Sequence, residues 1–348
     1  MISVLRGGEW IPFITQHHLE EIACYENESA FFRRLEFISQ FPFISYLRPQ
    51  HEGANVGGMV DVQDHEIAFV ADNSGVSHED VLKAVRPAIR NGYGSGVQFY
   101  RENSEWWKYF RVHFAEESRR QKSSIANLSH FKSPYAERRI WPENLQARPI
   151  TEHGATQHYE KQARWLEDQI HRHGDCRYID PKAAADALMR ETLNETLSDI
   201  NEPNSYEAIL LRCGIKRERL PAKATVEDAC YEGIFLSQLG VYARRLKRDR
   251  DELTAKVRKE QIPSWVIWKE LDSRTHQFPA EIGNVNDKHI ATFGLYIDLV
   301  DVDKRTAELI QQSARKSPLC AKVLNRIPTN RGAKGLVEAM KRISKGAT

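Results

Sequence analysis

Four acids stand close together in the first quarter of the chain: Asp61, Asp64, Glu66 and Asp72. Carboxylates brought together by two paired strands hold a divalent cation in metal-dependent nucleases, where the ion activates water against a phosphodiester. That chemistry also needs a basic side chain to polarise the phosphate, and residues 52–79 contain neither lysine nor arginine. An acid-rich strand edge is the preferred reading, and a nuclease using Asp61, Asp64 and Glu66 is kept as an alternative.

A second group is richer in nitrogen and sulfur: His153, His158, His171, His173 and Cys176. Zinc takes about four such ligands converging tetrahedrally. His158 and His171 sit thirteen residues apart on an expected helix, roughly 20 Å along its axis. The spacing predicts scattered surface histidines and no metal or other cofactor. Arg164 and His171 share that helix and could address one phosphate, yet pairs of this type arise by chance in basic helical chains. Gly92, Gly94 and Gly96 follow an expected helix rather than a strand and lack the lysine of a phosphate-binding loop. The Arg331-Gly-Ala-Lys334-Gly335 stretch combines close backbone approach with two cations. It suits a nucleic-acid backbone better than a nucleotide site. No Ser/His/Asp elbow or reactive-cysteine context is present, so a non-enzymatic role is favoured.

Cations offer the broadest signal. The net charge of +2 conceals an asymmetry: residues 1–102 carry 8 Lys/Arg against 14 Asp/Glu, and residues 303–348 carry 11 against 3. A further basic run includes Arg244, Arg245, Arg248 and Lys256. A third follows the aromatic stretch from Trp106 and contains Arg119, Arg120 and Lys122. Lysine and arginine neutralise phosphates and release counterions, and interleaved aromatics can stack on bases. These segments predict a nucleic-acid-binding protein, for DNA or RNA, that grips phosphate backbone. Its contact residues are expected at Arg244, Arg245, Arg248, Lys256, Arg331 and Lys334, with Arg119, Arg120 and Lys122 next. No helix-turn-helix, zinc-finger or RNP signature accompanies them, so base-specific readout is not expected. The acidic first hundred residues would dock a protein partner within a larger assembly.

The elements that must position these residues come next. The tract from Thr225 to Gln261 lacks proline, is bracketed by Pro221 and Pro263, and opens with Thr225 and Asp228 at capping-box spacing. It predicts one helix of roughly 55 Å with a heptad seam through Leu239, Ala243, Leu246, Leu253 and Val257. A coiled-coil arm that recruits another subunit is therefore a second alternative. Residues 1–13 read as two short strands, and residues 57–73 alternate as an antiparallel hairpin. Helices are expected near 16–25, 28–40, 77–91, 102–128, 151–172, from Asp180-Pro181 onward, and near 264–274, 303–316, 318–326 and 333–345, while 287–300 is open between helix and strand.

The fold class expected is α+β, mostly α. A small acidic α+β head (1–130) precedes a linker (131–150), a helical body (151–302) and a basic helical segment (303–348). Five scattered cysteines, none in a C-x-x-C pair, suit a reducing compartment. With no apolar run of about 20 residues and no secretion signal at the start, the expectation is a cytoplasmic protein that avoids membranes.

Overall fold

A computed structural model describes residues 1–7, 9–23, 27–50, 56–91, 94–124, 137, 152–173, 180–197, 210, 214–275 and 284–346. The expected linker, apart from residue 137, lies outside these residues. The described residues are mostly helical with one small two-stranded sheet. Two compact units are formed. One comprises residues 1–119, 244–275 and 282–348, and the other comprises residues 120–243 and 276–281.

The first unit begins with a short helix, α1 (Ile2–Leu5), where a strand was expected. The strands that do form, β1 (Phe13–Ile14) and β2 (Ser45–Tyr46), pair in parallel, with Phe13 opposite Ser45. Between them lie α2 (Gln16–Ala23) and α3 (Glu28–Ser39), close to the expected positions. Asn27 caps α3 by accepting from the Ala30 amide at 3.2 Å. Phe31, Leu35 and Ile38 fall on its inward face.

The expected hairpin at 57–73 is instead a helix, α4 (Met59–Asp72). Its start is fixed by Asp61, whose Oδ2 accepts from the Gly58 amide at 2.8 Å. Met59, Val62, Ile67 and Val70 are buried at helical spacing, but so are Asp61, Gln63, Asp64 and Glu66. A helix that buries its polar face as well as its apolar one loses the contrast on which helical periodicity depends. What is left is a misleading alternation. The acids therefore do not line a strand edge.

Next come α5 (His78–Ala88), α6 (Gly96–Glu102) and α7 (Ser104–Ser124). Ser77 and Asp80 form a reciprocal cap on α5: the Asp80 amide donates to Ser77 Oγ at 3.3 Å and the Ser77 amide to Asp80 at 3.0 Å. Trp107 and Phe110 on α7 join Leu19, Phe31, Leu35 and Phe99 in one core.

In the second unit, α8 (Glu152–His173) and α9 (Pro181–Leu197) pack against each other around Leu166, Ile170 and Ala185. Tyr159 donates to the Asp186 carbonyl at 3.3 Å. Most of α10 (Val226–Leu246) also belongs here. Its Glu232 makes a buried ion pair with Arg219.

The single long helix expected from Thr225 to Gln261 is not formed. Thr225 and Asp228 do build the capping box, with the Asp228 amide donating to Thr225 Oγ1 at 3.2 Å. The helix nevertheless ends at Leu246, and Lys247 has a φ of 53°. Asp249 then caps a separate helix, α11 (Arg250–Lys256), by accepting from the Glu252 amide at 2.9 Å. Helical apolar spacing continues across this corner because Leu253 and Val257 are buried from a new direction. The heptad seam is broken at Lys247, and a straight coiled-coil arm with it.

From here the described residues belong to the first unit. A short 3₁₀ turn (Lys259–Gln261) leads into α12 (Pro263–Thr275), which packs on α4 and α5. After α13 (Asn284–Phe293), residues 294–303 turn without regular structure, which answers the open question at 287–300. Three helices close the chain: α14 (Lys304–Ala314), α15 (Pro318–Leu324) and α16 (Gly332–Gly346).

Candidate nucleic-acid interface

The expected phosphate contacts separate into three groups. Arg245, Arg248 and Lys256 are already engaged. Arg245 Nε donates to Asp64 Oδ2 at 2.7 Å, and its Nη2 donates to Asp61 Oδ1 at 2.8 Å. Arg248 grips Asp72 with two nitrogens, each 2.7 Å from a carboxylate oxygen. The guanidinium holds the Asp72 carboxyl below its ordinary range, and Asp72 in turn raises Arg248. Lys256 Nζ lies 2.7 Å from Glu252 on the same helix. Arg331, though exposed, donates to the carbonyls of Val302 and Asp303 and so fixes the approach to α16. The side chains of Arg119, Arg120 and Lys122 lie outside the described residues.

Arg244 and Lys334 behave differently. Both are exposed, and among the described residues neither has an ion-pair partner. The structure adds two neighbours to each. Lys247 and Arg250 are exposed beside Arg244 at the α10–α11 corner. Lys341 and Arg342 are exposed beyond Lys334 on α16. Among the described residues these four also lack carboxylate partners.

The C-terminal helix gives the better-defined surface because one face is locked down. Ala339 and Met340 are buried and Leu336 packs half-buried against the first unit's core. Lys334, Glu338, Lys341 and Lys345 step by four, three and four along the opposite side. Trp10 Nε1 donates to Ser344 Oγ at 3.0 Å, tying the far end of the helix to the N-terminal segment. Gly335 meets the loop before the helix so closely that a Cβ there would lie 1.8 Å from the Asn330 carbonyl oxygen. This contact sets the angle at which α16 leaves the loop. The helical spacing of Lys334, Lys341 and Lys345 opposite Leu336, Ala339 and Met340 was present in the sequence. Local charge density alone does not reveal it.

The acids considered for nuclease chemistry serve the interior. Besides Arg245, Asp61 Oδ1 accepts from the Gln50 amide at 2.9 Å. Glu66 is fully buried and accepts from the Ser264 amide at 3.0 Å, from the Ser264 hydroxyl and from the Tyr296 hydroxyl. Its position at the start of α12 places a carboxyl against the amide end of that helix. Burial nevertheless pushes the group up to about 7. This knot ties α4 to α12 and to Tyr296, and neither Ser264 nor Tyr296 was distinguishable in the sequence. Among the described residues no three His, Cys, Asp or Glu groups are placed to hold a metal ion. His171 is exposed, while the side chains of His153, His158, His173 and Cys176 lie outside the described residues.

No helix among the described residues is long and apolar enough to cross a membrane. Comparison with protein-family models, curated proteins and solved structures found no match.

Proposed function

We propose that this protein binds nucleic acid by its phosphate backbone, chiefly through the outer face of the C-terminal helix. The observation that carries the reading is the state of Lys334, Lys341 and Arg342: exposed on a helix whose other face is anchored, and without carboxylate partners among the described residues. Cations held at fixed positions but not neutralised suit a polyanion, since each phosphate contact releases condensed counterions. Arg244, Lys247 and Arg250 form a second exposed cationic corner. Arg245, Arg248 and Lys256 drop out of the interface, because their charges are balanced by Asp61, Asp64, Asp72 and Glu252. The test is a gel-shift series with single-stranded DNA, duplex DNA and RNA at two salt concentrations. Reversal of Lys334, Lys341 and Arg342 to glutamate should weaken binding of all three at least tenfold at low salt. Retention of full affinity by that triple variant would refute the assignment.

A further inference from the structure

A cleft of about 770 Å³ opens in the first unit where the turn after α13 meets the N-terminal segment and the inner face of α16. Its volume falls within the range that holds small organic ligands. The walls are mostly apolar. Leu5, Phe41 and Met340 belong to the unit's own core, and Phe13, Ile297 and Leu336 add to the surface. A hollow of this kind favours a ligand with a hydrocarbon body, because docking removes apolar surface from water on both partners.

The polar groups of the cleft sort by whether their hydrogen bonds are already made. Trp10 and Ser45 donate to Ser344 Oγ at 3.0 Å and to the Asn91 carbonyl at 3.2 Å. Asp298 pairs with Arg86 and lies 3.5 Å from Arg326. Asp301 accepts from the Val302 and Gly332 amides, and its Oδ1 is withdrawn from solvent. Glu9 is exposed and keeps its hydration.

The groups that remain are donors. Arg90 is exposed, and its one side-chain hydrogen bond among the described residues is a long one of 3.5 Å from Nη2 to the Tyr296 carbonyl. Arg326, with a side chain 30% exposed, commits Nη1 to the Ile297 carbonyl and keeps Nε and Nη2. The two guanidinium groups are thus moored to consecutive carbonyls of one turn. The Arg326 carbonyl holds the same turn by accepting from the Val300 amide at 2.9 Å. His18 Nδ1 accepts from the Thr15 amide at 3.2 Å, which leaves Nε2–H to donate. Burial and the neighbouring His17 hold that ring down to about 4, so it donates while neutral.

A carboxylate matches these donors, since its two oxygens accept up to about four hydrogen bonds and suit the planar fork of arginine. A dianionic phosphate fits less well, because Asp298 and Asp301 stand at the same cleft. We infer that the cleft lined by Phe13, Arg90, Arg326 and Met340 binds a monocarboxylate with an apolar body, of the medium-chain fatty acid type. Its head meets the two arginines and its chain lies against the core. The site is on the inner side of α16 and does not depend on the nucleic-acid reading of the outer face.

Calorimetric titration of the full chain with decanoate, decyltrimethylammonium, decyl phosphate and acetate makes the test. Decanoate should bind at a single site. Acetate, which lacks the body, should bind more than about 100-fold more weakly, and the cation of equal chain length at least about tenfold more weakly. Arg90→Gln should weaken decanoate about tenfold and leave the cation unaffected. Ile343 lines the cleft and is 41% exposed. Ile343→Trp should fill part of the space and weaken decanoate by at least about tenfold. Both substitutions fall at exposed positions, and if circular dichroism shows that one does not fold, the other carries the test. Equal affinity for decanoate and the cation, or full affinity in folded Arg90→Gln, overturns the arginine head site. Full affinity in folded Ile343→Trp overturns the cleft as the location. Tighter binding of decyl phosphate than of decanoate overturns the carboxylate head, and failure of decanoate to bind overturns the inference as a whole.

Discussion

Arg245 shows how far a residue's neighbours decide its role. It is part of a dense basic run, yet its side chain is only 24% exposed and meets Asp64, which is fully buried. Removing one partner of a buried pair leaves the other charge unsatisfied, which typically costs about 3–5 kcal/mol. Arg245→Ala should accordingly lower unfolding free energy in urea by about 3 kcal/mol. Arg244→Ala, one residue earlier and exposed, should change it by less than about 0.5 kcal/mol. Equal effects of the two would mean that the Arg245 pairing contributes nothing. Glu66 makes a different prediction. Its folded value of about 7 stands above the ordinary 4.5 of the free carboxyl. The folded state therefore keeps a proton that the unfolded chain releases. The contribution is fully present below about pH 4.5 and fades as pH rises to about 7, by roughly 3 kcal/mol at about 1.4 kcal/mol per unit. His18, held down to about 4, acts in the opposite sense, losing stability as pH falls below 6.5. The difference between wild type and Glu66→Gln isolates the carboxyl. Plotted against pH, that difference should fall between pH 4.5 and 7, and a flat line would contradict the buried, proton-retaining Glu66.

Among the elements, the corner at Lys247 is the one most open to test. A residue other than glycine with φ near 53° carries a steric cost of about 1 kcal/mol. Lys247→Gly should therefore raise stability by several tenths of a kcal/mol despite the added freedom of the unfolded chain. Destabilisation in a thermal melt would indicate that the Lys247 side chain has a structural role. Gly335→Ala should do the reverse. With Asn330 in the way, α16 would have to shift, and nucleic-acid affinity should fall although no charge changes. The legibility of the chain follows the same logic. The caps at Asn27, Ser77 and Thr225 could be read because capping is local. So could α2, α3 and α12, whose buried apolar faces repeat at helical spacing. The hairpin expected at 57–73 failed because α4 buries Asp61, Asp64 and Glu66 against partners some 180 to 230 residues away in sequence. No window along the chain contains Arg245, Ser264 or Tyr296 together with them. The break at Lys247 was hidden for a related reason. Asp249 had the type of an N-cap but stood inside a run whose spacing allowed an uninterrupted helix.

At the scale of the molecule, charge is sorted rather than simply accumulated. The acids of the first hundred residues draw in the basic run after Arg244. Three contacts, from Arg245 to Asp61 and Asp64 and from Arg248 to Asp72, turn apparent phosphate ligands into internal links. The basic last segment belongs to the same compact unit as the acidic first one. Lys322 ties the two together by pairing with Glu79, and Arg86 pairs with Asp298 just before the last segment. What remains exposed on α16 is a smaller cationic surface than the sequence suggests, but one held in place. The direct measurement is the slope of log K against log salt concentration for single-stranded DNA, compared between wild type and the Lys334/Lys341/Arg342→Glu variant. Each phosphate contact contributes roughly 0.7 to the slope on single strands, so the loss of three should reduce its magnitude by about 2, with the affinity falling at low salt. An unchanged slope at unchanged affinity would contradict the C-terminal helix as the nucleic-acid interface.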